Sequence, residues 1–393
     1  VYLIKGREHV RSKIANKNLE RLECPVVEDI DWNRVDDHII VDGVLGTGVS
    51  GSVREPYRSA IQNINGSGNE VVSIDVPSGL GADIQVEPEL TVTFHDTKYG
   101  MNEDNCGEII VKDIGIPNEA ELYTGPGELI LFPVPHEDSH KGGNGTLLIV
   151  GGGPFTGAPA LSAFGAYRAG VDLVHLAVPS KVNDVVSSYS PSFIVHEMKG
   201  DILKREHVDK IIDISAMCDT VLIGPGLGSD RETLEAVEQL LNSLKKPLVI
   251  DADALRAFKN NKFGFKHGCV ITPHHGELKN IKEDCSDLSK CADELAEEMN
   301  LTVLLKGKTD YITDGERHKW NDFGNAGMTV GGTGDTLAGV VGSLLAKGME
   351  PFDAARVGAY ITCRAGEIAF EERKWGILPT DVSEAVPAVL KEM

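Results

Sequence analysis

The stretch NAGMTVGGTGDTLAGVVGSLLAKG, Asn325 to Gly348, sets Gly331, Gly332, Thr333 and Gly334 directly in front of Asp335 and a long apolar run. The spacing predicts a helix: Leu337, Val340, Val341, Leu344 and Leu345 form a buried stripe, and Gly348 after Lys347 ends it. Free backbone N–H groups at such a helix start, with no side chains in the way, make an anion site. A carboxylate there repels a bound phosphate unless it takes a proton or holds a metal. Asp335 therefore has two readings, a catalytic group or a helix cap.

Other clusters end strand-like runs. VLIGPGLG carries Gly224, Gly226 and Gly228, ITPHHGE carries His274, His275 and Glu277, and LLKGKTD runs from Lys306 to Asp310. A histidine at a strand end can hydrogen-bond a ligand or face solvent, and a lysine there suits a nucleotide phosphate or is solvated. No Gly-Lys-Ser/Thr follows any of the glycines, so none is a Walker A loop. VGGGPFTGAP, Val150 to Pro159, follows a strand, but its glycine spacing is not that of a dinucleotide fingerprint and VDLVHLAVP supplies no acid for a ribose. In the first half, VDGVLGTGVSGS places Asp42 at a strand end ahead of Gly46, Thr47, Gly48 and Gly51, and SIDVPSG repeats the theme with Asp75 and Ser78. Two such acids suit a small-molecule site with a cation, or cap the following helices. His136 and His140 lack a third ligand, and the cysteine spacing offers no zinc site.

These turns need a scaffold of buried strands. At 393 residues, 41% hydrophobic and 25% charged, the chain reads as soluble, globular and divided into two or three domains. A formal charge of -22 argues against nucleic acid or an anionic membrane as partner, and no apolar run is long enough to span a bilayer. Seven scattered cysteines without a C-x-x-C pair suggest reduced thiols and a cytoplasmic setting. Strands are predicted at VYLI, HIIVDGVLG, EVVSIDVPSG, ELTVTF and GEIIVKDIGIP, with helices in SKIANKNLERLE and EPYRSAIQNIN between them. The Gly-, Pro- and His-rich segment 124–145 reads as a linker, and a second strand–helix series follows from Thr146. The expected organisation is thus α/β throughout: a parallel-sheet domain over 1–123, a linker over 124–145 and a second α/β domain over 146–393. In doubly wound sheets of this kind the strand ends share one edge, where ligands bind.

With GGTGDTLAG, GPGLG, TPHHGE and LLKGKTD in that order, the second half resembles the NAD(P)H-hydrate dehydratases of the ribokinase-like superfamily. The first half, with VDGVLGTG, IDVPSG and TVTFHDTKYGM, resembles the NAD(P)H-hydrate epimerase domain, which is Rossmann-like. The resemblance implies repair of NADHX and NADPHX, nicotinamide cofactors with water added across the ring. The epimerase would interconvert the R and S hydrates. The dehydratase would use ADP, with ATP as the alternative, and Mg2+ to dehydrate the S epimer, giving AMP and phosphate. By position it implies Asp335 as catalytic group, hydrate contacts at Ala158, Gly226 and His274, and adenine-nucleotide contacts at Lys306, Gly307, Lys308, Thr309, Asp310 and Gly334. In the first half it implies a substrate loop of Gly46, Thr47, Gly48, Val49, Ser50, Gly51 and Ser52 together with Asp75, and K+ ligands at Asp42 and Ser78. It also implies a homo-oligomer. The family's epimerase domain begins before the position matching Val1, with a strand and an Asn- and Gly-rich loop, so an incomplete first site is expected within these residues. The competing expectation is a ribokinase-like kinase of a small vitamin-precursor alcohol, with a non-catalytic N-terminal binding module.

Overall fold

Short β-branched runs with no polar alternation must be covered on both faces, and parallel sheets provide that cover. The computed structural model describes all residues except Asn33, Arg34, Asp36, Asp37, Ser50, Asn118 and Asp284, and the side chains of Glu119 and Asn260. Two units result, Val1–Pro117 and Asn118–Met393.

The first unit carries β1 (Ile40–Asp42), β2 (Val71–Ile74), β3 (Leu90–Phe94) and β4 (Glu108–Lys112), all parallel and paired in chain order. Helix α1 (Lys13–Glu20) is capped by Ser12, and α2 (Tyr57–Gly66) buries Ala60, Ile61 and Ile64. The expected strand at VYLI is only an isolated bridge between Tyr2 and Val27; Gly6, at φ 81, turns the chain before a ladder can grow.

The second unit holds β5 (Thr146–Val150), β6 (Leu173–Pro179), β7 (Ile194–Met198), β8 (Thr220–Ile223), β9 (Leu248–Ile250), β10 (Cys269–Ile271), β11 (Thr302–Leu305), β12 (Asp310–Thr313) and β13 (His318–Asn321). Their order is β13-β12-β11-β10-β9-β8-β5-β6-β7, with the β11–β12–β13 edge antiparallel and the other pairs parallel. Every residue of β5 is buried, as a strand covered on both faces requires. Alternate side chains feed two cores: Leu147 and Ile149 on one face, Leu148 and Val150 on the other. Helices α3 (Gly157–Arg168), α4 (Arg231–Ser243), α5 (His275–Ile281), α6 (Leu288–Met299), α7 (Thr333–Ala346), α8 (Pro351–Arg373) and α9 (Pro379–Val389) cover the sheet.

Two expectations change. The segment 124–145 packs as part of the second unit: Pro126–Leu131 is a 3-10 helix, and Leu129 and Phe132 are buried in the core. Glu128 pins it through Arg356 at 2.7 Å and Lys319 at 3.2 Å. Glycine and proline broke the periodicity of this segment without freeing it from the core. The second change is a disulfide joining Cys285 to Cys291, with Cα atoms 6.0 Å apart, in place of seven reduced thiols. A six-residue spacing is enough for the turn into α6 to bring the sulfurs together, although the pair is no C-x-x-C motif.

Candidate active site

Gly332 starts α7 from the left-handed region, at φ 107, and a Cβ there would press on Leu161 and on Pro379, the latter at 2.9 Å. Only glycine fits. The α7 helix is held by α3 at two further close approaches: a Cβ on Gly165 would strike the Thr336 carbonyl, and one on Gly339 the Ser162 carbonyl. The first turn is thereby fixed, and Asp335 is its third residue.

No hydrogen bond from a described group reaches the Asp335 carboxylate, and Gly332 has no side-chain cap, so Asp335 does not cap its helix in this structure. Burial, and then the negative charges of Asp251 and Asp253, push its pKa up to about 7 against the opposing pull of Lys306. The Lys306 ammonium lies at the same turn, 3.3 Å from where a Gly334 Cβ would be. It is held by Asp251 at 2.8 Å, and the Thr272 hydroxyl donates to the same Asp251 oxygen at 2.7 Å. Burial would lower the lysine's pKa, but Asp251 and Glu277 keep it above the usual value.

The ends of β5, β8, β10 and β11 deliver the other expected residues. Gly226, at φ 71, packs against the turn before α3: a Cβ there would lie 2.6 Å from the Phe155 carbonyl and 3.2 Å from Ala158 Cβ. Ala158 and Gly226 therefore meet. His274 bridges to Lys306 across β10 and β11. Its Nδ1 accepts from the Gly276 and Glu277 amides at 3.0 and 3.1 Å, while Glu277 accepts from the His274 amide at 2.8 Å. An accepting Nδ1 assigns the proton of a neutral ring to Nε2, leaving that nitrogen to donate.

In the loop after β11, Lys308 is exposed and Gly307 lies against His275. Asp310 faces inward. It is buried, accepts from the Gly307 amide at 3.0 Å and from Asn321 at 3.0 Å, and burial raises its pKa. Asn321 in turn accepts from Thr124 at 2.7 Å. The Asp310 carboxylate thus braces the loop from behind.

In the first unit, buried Asp42 accepts from Ser73 Oγ and the Ser78 amide on one oxygen, and from Ser78 Oγ and the Val44 amide on the other, at 2.6 to 3.2 Å. Asp42 and Ser78 are brought into direct contact. The loop from Gly46 to Ser52 is mostly exposed; Ser50 lies outside the described residues. The Gly51 carbonyl accepts from the Asp83 amide at 3.0 Å, and Asp83 accepts from Val53 at 2.9 Å and Arg58 at 2.7 Å, which fixes the loop's far end. Asp75 adopts φ 69 and pairs with Lys98 at 2.6 Å. Burial would raise its pKa, but Lys98 and the Phe94 amide together hold it below the usual carboxylate value.

Sequence reasoning missed Asp251, Asp253 and Lys98. The two aspartates stand in IDADAL at the end of β9, where a pair of acids after a buried strand was the available signal; Lys98 stands in the quoted TVTFHDTKYGM. Asp253 accepts from the Gly228 amide at 2.8 Å and so ties this turn to the GPGLG loop.

Comparison with known proteins matches two stretches of the chain to different families. Residues 146–388 match the family described as NAD(P)H-hydrate dehydratase, and residues 1–100 match that described as YjeF-related protein N-terminus. A bifunctional NAD(P)H-hydrate repair enzyme of Methanothermobacter thermautotrophicus is 41% identical over 376 residues, covering 90% of this chain and 72% of that protein. One of the same description from Archaeoglobus fulgidus is 39% identical, covering 97% of this chain and 82% of its own. Among solved structures, the ADP/ATP-dependent NAD(P)H-hydrate dehydratase of Bacillus subtilis, co-crystallised with ATP and Mg2+, matches with a TM-score of 0.61 at 24% identity, covering 71% of this chain and 99% of that one. A ribokinase-like superfamily protein of Enterococcus faecalis matches with a TM-score of 0.61 at 25% identity, covering 68% and 95%.

Proposed function

The chain belongs to the bifunctional NAD(P)H-hydrate repair enzymes, and from that premise we propose how its two units divide the work. In the second unit Asp335 takes the proton of the hydrate hydroxyl as that oxygen attacks the terminal phosphorus of ADP. The new O–P bond forms as the bond to the AMP oxygen breaks. The amides at the start of α7 and the Lys306 ammonium neutralise the charge that develops on the transferring group. Phosphate, a far better leaving group than hydroxide, then departs with its electron pair from the ring carbon, the neighbouring ring carbon loses a proton to solvent, and the dihydronicotinamide is restored. The observation that carries this reading is Asp335: a carboxylate that no described group hydrogen-bonds, with its pKa raised to about 7, beside a lysine at a glycine-flanked helix start.

Among the described residues no group of three or more His, Cys, Asp or Glu is placed to hold a metal ion. Mg2+ would arrive with the nucleotide and would help neutralise its phosphate charge alongside Lys306. Ala158, Gly226 and His274 contact the hydrate, and Lys306 to Thr309 with Gly334 contact the nucleotide, backed by Asp310. ADP is the preferred donor, and the enzyme works as a cytoplasmic homo-oligomer.

In the first unit, Asp75 and the loop Gly46 to Ser52 receive the hydrate for epimerisation. The K+ assignment to Asp42 and Ser78 meets a constraint, because the four acceptor positions of Asp42 are already filled by protein donors. To share an ion, the two side chains must give up the 2.6 Å hydrogen bond between them. A rise in the melting temperature with KCl that LiCl does not reproduce, absent in Asp42→Asn, supports the ion; equal curves remove it.

The deciding experiment is incubation with mixed hydrate epimers and ADP or ATP, following NADH absorbance and inorganic phosphate. Full conversion supports both activities, and conversion of about half supports dehydration without epimerisation. A stable phosphorylated product without NADH would establish the kinase instead.

A further inference from the structure

A cavity of about 750 Å3 lies between α4, the 3-10 segment Ala252–Asn260 and α5. Asp253 and His274 line it, so it opens beside the group that holds the Gly228 turn and beside an expected hydrate contact. Its wall is mixed. Leu255 and Ile281 supply apolar surface, Glu238, Asp253 and Glu277 three carboxylates, and Arg256 and Lys259 two cations. Both cations are largely exposed and only loosely paired, Arg256 with Asp253 at 3.6 Å and Lys259 with Glu283 at 3.3 Å. Exposed pairs of this kind contribute little and exchange readily for a ligand.

The mechanism above uses only the hydrated ring and the terminal phosphoryl group. The rest of the substrate is a phosphorylated adenosine, and it needs apolar surface for a base, a carboxylate for ribose hydroxyls and cations for phosphates. Topology decides which nucleotide lies nearer. The expected ADP loop follows β11, whereas Gly226 follows β8 and Ala158 follows β5; the cavity sits over the helical segments after β8, β9 and β10. Of the expected contacts, its lining includes His274, assigned to the hydrate, and none of the ADP loop from Lys306 to Asp310. Resting on the dehydratase reading, we propose that this cavity receives the non-reacting adenosine half of the hydrated dinucleotide, with Arg256 and Lys259 as its phosphate partners.

The test compares wild type with Arg256→Ala/Lys259→Ala and with Asn280→Trp, which narrows the mouth from an exposed helix position. The KM for the NADPH hydrate rises about tenfold in the double variant, the scale of one or two lost charge-assisted contacts, while the KM for ADP stays within twofold. An unchanged hydrate KM, or a rise in the ADP KM in its place, overturns the proposal. Calorimetric titration with ADP-ribose in saturating ADP separates this from the catalytic reading, because it needs no turnover. Binding that weakens in both variants supports the cavity, and equal binding in all three proteins removes it. Wild-type enzyme that regenerates no NADPH would sink the dehydratase assignment and leave that titration intact.

Discussion

Asp42 and Asp335 were both expected to serve ligand sites, yet they are in opposite electrostatic situations. Asp42 is buried and receives four hydrogen bonds from three residues close to it in the fold. Asp335 receives none from the described groups and shares its surroundings with two other aspartates. A carboxylate with all its acceptor sites filled serves architecture; one left without donors among like charges has its pKa raised and remains available for proton transfer. In the first unit the group resembling Asp335 in availability is Asp75, which is partly exposed, but Lys98 tips it the other way, towards permanent ionisation.

Four measurements can break or sharpen this contrast. The largest effect is expected from Asp335→Asn, which should lower NADH regeneration by about a thousandfold, the middle of the range for a lost general base, with ADP affinity by calorimetry nearly unchanged. Retained turnover would end the proton-acceptor assignment. Asp42→Ala should instead act on stability, lowering that of the first unit by about 2–4 kcal/mol because buried donors lose their common acceptor. Chemical denaturation of the full chain measures this, and an unaltered unfolding curve would show that the hydrogen-bonded cluster matters little.

The third test is Asp251→Asn. Dehydration should rise with pH through about 7 in wild type, since the base must be deprotonated. Removing the negative charge of Asp251 lowers the Asp335 pKa, so the acid limb should move down by about one pH unit, alongside a roughly tenfold loss in kcat/KM from a misplaced Lys306. A lower rate with an unmoved limb would make Asp251 a purely structural residue. The smallest effect is thermal. The folded pKa of Asp335 lies above its ordinary value of 3.8, so its cost to stability is absent below that value, grows as pH rises and is complete above about 7. Asp335→Asn should therefore raise the melting temperature more at pH 8 than at pH 5, by about 2 °C or more.

Local information made half of this legible. Gly332, Gly334 and Asp335 lie within four residues, and their glycine-then-acid order before an apolar stripe already describes a helix start that binds anions. The parallel sheets were legible for a similar reason, because LLIV or VLI can only be buried. Contacts across the fold were not. Lys306 and Asp251 are 55 residues apart, and Asp42 and Ser78 are 36 apart, so whether a carboxylate finds a donor depends on strand order and register. Helix α8 escaped for another reason: small residues such as Ala354, Ala355, Gly358 and Ala359 are buried around much of its circumference, and the amphipathic signature fades. The Thr124 to Gly145 segment misled because turn-forming residues mark broken periodicity, whether or not the segment packs.

The crossing of α3 and α7 has a consequence for how this scaffold can diversify. Where Gly165 and Gly339 let one backbone touch another, a single added methyl group must push the helices apart and carry Asp335 with them. That seam is a datum from which the position of the reacting group is measured, whereas the turns after β8, β9 and β11 carry the groups around it, Gly226, Asp251 and Lys306. Engineering a new substrate onto this framework should therefore begin at those turns, and selection for new activity should return variants there while Gly165 and Gly339 stay as they are.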